Sequence, residues 1–125
     1  MKVKAINKKN PMEPEAAPRF YASAVHDVQT DLNDLAISVA NRCSLRRADV
    51  HGVLVALMDI IPEKLIEGSS IALGDLGTFC VNVKSDGVET EDELSPSMVK
   101  GVKIVYRPTK ELKKKLRMID VTIAN

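Results

Sequence analysis

A chain of 125 residues, 45% hydrophobic and 28% charged, is long enough to bury a core and too apolar to stay unfolded. It has two Tyr, two Phe and no Trp, so that core must be aliphatic. No apolar run nears the roughly 20 residues of a membrane span, and MKVKAINKKN lacks the apolar stretch of a secretory signal, which argues against a membrane partner and against export.

The net charge of +1 conceals separate blocks. Residues 1–9 carry four lysines and no acid, and residues 20–80 hold four basic against eight acidic residues. DGVETEDE, residues 86–93, has five acids and no base, while RPTKELKKKLR, residues 107–117, has six basic residues and one acid. A basic segment on a near-neutral chain suggests a polyanionic partner.

In chain order, VKAI and RFYASAVH read as short strands, joined by NPMEPEAAP. The three prolines of that connector exclude a helix and favour an extended loop. A helix is predicted next, with Leu32, Leu35, Ala36, Val39 and Ala40 at helical spacing and Thr30 or Asp31 as its cap. A second helix follows, capped by Ser44 and ended by Gly68 in the left-handed region. Its apolar stripe, Val50, Val53, Leu54, Leu57, Ile60, Ile61 and Leu65, is broad enough to meet more than one partner surface. Pro62 is expected to kink its last turns, because the ring clashes with the Met58 carbonyl.

After Gly68 the apolar period changes from 3.6 to 2. Ile71 and Leu73 form a short strand, and Phe79, Val81 and Val83 share one face of the next. The chain turns within SDGVETEDELSPS and returns as VKGVKIVYR, with Val102, Ile104 and Tyr106 on one face and Lys103 and Arg107 on the other. Pro108 stops that strand, Thr109 caps a short basic helix, and MIDVTI reads as a last strand that could pair with the N-terminal segment. The order of elements is α+β.

Nothing in the sequence looks catalytic, and no cofactor or metal is called for. His26 and His51 lie in different elements without metal-ligand spacing, and Ser69 and Ser70 have no base nearby. GDLG leads into a strand with no GK[ST] after it, so it is not a phosphate loop. DGVETEDE lacks the ligand pattern of an EF-hand and reads as a solvated turn. Cys43 and Cys80 lack CxxC spacing and read as two buried free thiols in a reducing, cytoplasmic compartment.

Two helices joined by a tight turn, then LGDLGTF, a long two-stranded hairpin and YRPTKELKK resemble the bacterial histone-like DNA-binding proteins of the HU and integration host factor type, over about residues 30–117. The segment before residue 30 resembles the longer HU-like proteins with an N-terminal extension. The resemblance implies residues 1–29 as that extension, 30–117 as the HU-like domain and 118–125 as a C-terminal strand or tail. It also implies an intertwined homodimer with a shared core, whose two arms embrace bent double-stranded DNA along its phosphates and minor groove. Such a protein would organise the nucleoid without reading base sequence. Gly74, Gly77 and Phe79 fall at the structural turn, where Gly77 is expected to have positive φ and Phe79 to sit under the arm.

Carried over position by position, the DNA contacts implied are Lys84, Lys100, Lys103, Arg107, Lys110 and Lys113. The resemblance stops at the arm tip. The family has basic residues and an Arg-Asn-Pro wedge there, but here five carboxylates precede Pro96, so no intercalating residue is carried over. The alternative reading is a structural or protein-interaction dimer whose acidic tip binds a protein partner. RNA on the same basic face is not separated from DNA by these residues.

Overall fold

The computed structural model describes residues 1–124. Strands β1 (Lys2–Lys8) and β2 (Arg19–Ala24) form an antiparallel hairpin, and helices α1 (Leu32–Ala40) and α2 (Arg47–Ile66) follow. The short β3 (Ile71–Ala72) leads through a 3₁₀ turn at Gly74–Leu76 into β4 (Gly77–Ser85). The chain returns as β5 (Val99–Pro108) and ends with α3 (Lys110–Leu116) and β6 (Thr122–Ile123). Two three-stranded sheets result, in the orders β2-β1-β6 and β3-β4-β5. The architecture is mixed α+β.

Asp31 caps α1 through a reciprocal box. Its carboxylate accepts from the Asp34 N–H at 2.9 Å, and the Asp34 carboxylate accepts from the Asp31 N–H at 3.1 Å. The first of these bonds is the main cause that holds the Asp31 carboxyl below its ordinary value. Gly68, with φ 93°, ends α2 as its sequence position predicts.

Several expectations are corrected. The second helix starts at Arg47 with Arg46 at the cap position and no side-chain cap, so Ser44 belongs to the turn between the helices. Cys43 lies in that turn and is exposed, while Cys80 is half-buried; both thiols are free. Pro62 does lie within the last turns of α2, as its position predicts, and its missing N–H leaves the Met58 carbonyl without its intrahelical donor. The 10–18 connector is folded into two turns, with Glu13 N–H donating to Asn10 and Ala16 N–H to Glu13. Leu73 begins the 3₁₀ turn rather than extending β3. The last strand is reduced to Thr122–Ile123, since Met118 and Ile119 donate back to Lys115 and Leu116 as a continuation of the helical turn. It does pair with β1, in parallel.

Helices α1 and α2 pack on one another, and Ala36 of α1 and Val50 of α2 are buried. With Val3, they are the only buried apolar residues among those described. The accessible surface is 10909 Å², against about 6,600 Å² for a typical folded monomer of this mass. Aliphatic side chains of α2 contribute to it. Val53 is 60% exposed, and Val55, Leu57, Met58 and Ile60 on α2 also remain open.

Candidate nucleic-acid interface

The site is built on the base of the β4–β5 hairpin. Gly77 has φ 130°, and a Cβ there would lie 2.2 Å from the Arg107 carbonyl oxygen, so only glycine fits. Gly74, at φ 55°, turns the chain into the 3₁₀ segment. Phe79 stacks on Tyr106 across the strands, with ring centroids 4.8 Å apart. The Tyr106 hydroxyl donates to the Leu76 carbonyl at 2.6 Å, and the Thr109 hydroxyl donates to the Asp75 carbonyl. Thr109 Oγ1 also accepts the Leu112 N–H and so caps α3. One turn, two strands and a helix start are therefore fixed as a unit.

That unit sets where the cations point. Paired residues in an antiparallel ladder share a face, and here Lys84 pairs with Gly101, Asn82 with Lys103 and Thr78 with Arg107. Lys84, Lys103 and Arg107 therefore line one face, opposite Phe79 and Tyr106. All three are exposed. Lys110 and Lys113 follow at once on α3, one turn apart and also exposed. None of these five has an ion-pair partner among the described residues. Lys114 is within 3.8 Å of Glu111.

Lys100 differs. It stands beyond the irregularity at Lys84/Ser85, and its ammonium lies 2.8 Å from Asp86. Asp86 opens the acidic stretch, where residues 86–98 form the tip with 3₁₀ turns at Glu91–Glu93 and Pro96–Met98. Among the described residues no group of three or more His, Cys, Asp or Glu is placed to hold a metal ion. No described helix is long and apolar enough to cross a membrane.

Residues 1–122 match the family model described as an HU domain fused to a winged helix-turn-helix, Ig or glycine-rich motif, HU-HIG. The chain belongs to the HU-HIG family. The match begins ahead of the helices, so the β1–β2 hairpin of this HU-HIG chain lies within the family pattern. Among solved structures it is similar to a Bacteroides vulgatus protein described as a candidate bacterial DNA-binding protein, with a TM-score of 0.59, 15% identity and 98% of this chain covered. The chain spans 47% of that protein's length. It is also similar to Anabaena HU, solved with DNA, with a TM-score of 0.53, 20% identity, and 71% of this chain and 99% of the other covered. At these identities the likeness speaks for a histone-like fold. No curated protein matches in sequence.

The turn residues Gly74, Gly77 and Phe79 were legible from DLGTF, but the two hydroxyls that clamp the turn were not. Thr109 reads as a cap and Tyr106 as a face residue; their second roles depend on carbonyls thirty and more positions away. A Tyr and a Thr bracketing a Pro just after an alternating strand is the only signal the HU-HIG sequence offers for them.

Proposed function

We propose that this HU-HIG chain is a homodimer of the long HU-like kind that binds double-stranded DNA without base readout and contributes to nucleoid architecture in the cytoplasm. In this reading residues 1–29 are the N-terminal extension, 30–117 the DNA-binding domain and 118–125 the C-terminal strand and tail. The observation that carries it is the run of unpaired cations, Lys84, Lys103 and Arg107 on one hairpin face and Lys110 and Lys113 on the adjoining helix. From Lys84 to Arg107 the row is about 20 Å long at 3.3 Å per residue, the rise of about six base pairs. Lysines and an arginine on a rigid hairpin suit phosphate and groove shape rather than base edges. Lys100 joins them once Asp86 releases it, an exposed pair that costs little to part.

The dimer is supported by the excess accessible surface and by the open aliphatic side chains of α2, which one chain leaves uncovered. Replacing Leu57 with Asp puts an unpaired charge into that interface and is expected to cost several kcal/mol, read as a loss of dimer in sedimentation. The deciding experiment is fluorescence anisotropy on linear and nicked duplexes across a salt series. A dimer that engages about six phosphates gives a log–log slope near −5, with tighter binding to the nicked form. Absence of binding to either duplex at low salt refutes the reading.

A second reading is favoured by one feature, the five carboxylates of the tip beside an apolar hollow lined by Val83, Leu94, Pro96 and Val99. There the hairpin is an arm for a protein partner on a histone-like scaffold. It requires that joint replacement of Lys103, Arg107 and Lys110 leave function untouched.

A further inference from the structure

The β2-β1-β6 sheet has two unlike faces. The pairs Val3–Ala24, Ala5–Ala22 and Asn7–Phe20, with Ile123 beside Val3, make one face uncharged and, apart from Asn7, apolar. The pairs Lys4–Ser23, Ile6–Tyr21 and Lys8–Arg19, with Lys2 at the end, make the other cationic. Neither strand places an acid on that second face. Lys2, Lys4, Lys8 and Arg19 are all exposed, and none has an ion-pair partner among the described residues.

Lys8 stands directly opposite Arg19, a like-charge pair that weakens strand pairing. Beside it is a cavity of about 350 Å³ whose lining includes Lys8, Arg19, Tyr21, Asn10 and Glu13. Glu13 is the one acid there and does not pair with either cation. Tyr21, half-exposed, lies on the same face as the cations. A bound anion would relieve the Lys8–Arg19 repulsion, and exposed cations with a Tyr hydroxyl among them are donors suited to the phosphate oxygens of duplex DNA.

We propose that this face, Lys2, Lys4, Lys8, Arg19 and Tyr21, is a second DNA-contacting surface, separate from the hairpin and α3, which binds phosphodiester backbone and lengthens the stretch of DNA each dimer occupies. It rests on the DNA-binding reading above. Charge complementarity selects the occupant: the face is cationic throughout its charged positions, with Lys2, Lys4 and Lys8 at even positions of one strand and Arg19 opposite Lys8.

The test is a variant with Lys4, Lys8 and Arg19 all replaced by Thr, which keeps strand propensity and removes charge. Anisotropy across salt on duplexes of increasing length is expected to give a slope shallower by about 3 for each protomer engaged, and a shorter site size. Wild-type slope and site size in the folded variant overturn the proposal. The Lys103, Arg107 and Lys110 variant then still loses binding if the primary site is right, so the two readings fail separately. Should the Thr variant not fold, Lys8→Glu serves instead, because it sets a carboxylate opposite Arg19. It is expected to raise Tm and weaken DNA binding together; a raised Tm with unchanged binding overturns the proposal. So does a loss seen only in DNA-free association of dimers, which would assign the face to the acidic tip of a second copy. Inorganic phosphate that competes as well as duplex would reduce the face to a simple anion site.

Discussion

At the base of the β4–β5 hairpin, Gly77 lies against the Arg107 backbone, and the hydroxyls of Tyr106 and Thr109 hold the carbonyls of Leu76 and Asp75. At its tip, residues 86–98 are held by short 3₁₀ turns, a 3.4 Å bond from the Asp86 N–H to Met98, and a solvent-exposed ion pair. The base depends on the shape of individual residues. The tip depends on the sum of its charges. A substitution at the base should therefore be felt in stability, and one at the tip in binding.

The largest effect is expected from Gly77→Ala. Positive φ and overlap with the Arg107 carbonyl oxygen together should cost about 3 kcal/mol or more, measured by urea denaturation. A cost under 1 kcal/mol would mean the base is not rigid. Thr109→Ala removes both the cap of α3 and the bond to Asp75, and should cost about 1 to 2 kcal/mol. Tyr106→Phe keeps the stack on Phe79 and loses only the bond to Leu76, so about 1 kcal/mol is expected. At the tip, converting Asp86, Glu89, Glu91, Asp92 and Glu93 to their amides should change stability by no more than about 0.5 kcal/mol. The same variant should bind duplex DNA more tightly at low salt, with the gain fading as salt rises.

The smallest effect serves as a control outside the hairpin. The Asp31 carboxyl is held below the ordinary aspartate value of 3.8, first by the N–H of Asp34. A depressed folded pKa adds stability above the ordinary value and loses it as pH falls through the depressed one. Helix α1 should therefore fray at the acid end of a titration, below the ordinary aspartate range, in an NMR titration of Asp31, while the hairpin base is unaffected.

This contrast also separates what could be read from the sequence. Gly77 and Phe79 were legible because a turn between alternating strands admits few residue types. The two faces of the hairpin were legible because side chains alternate with period 2, and the register matches that parity at Lys84, Lys103 and Arg107. Ser44 misled because a good capping residue does not itself start a helix; the chain stays in a turn until Arg46. Burial was the least legible property. Cys43 was expected inside, yet it lies in the interhelical turn, and the stripe on α2 is apolar but largely open within one chain. The cationic face of the N-terminal sheet needed the Lys8–Arg19 register, which neither strand specifies alone.

The parallel pairing of β1 with β6 joins Lys2 to Thr122 and Val3 to Ile123, across nearly the whole chain. Strand β1 must wait for a partner that follows it by the length of both sheets and all three helices. During synthesis the β1–β2 hairpin can close locally, but its third strand emerges only after every helix and the long hairpin have left the ribosome. Until then the edge of β1 that receives β6 is an open ladder of backbone donors and acceptors, available to any other extended segment. When β6 arrives it covers only the Lys2–Val3 end of that edge, and the rest of β1 keeps its outer ladder open among the described residues.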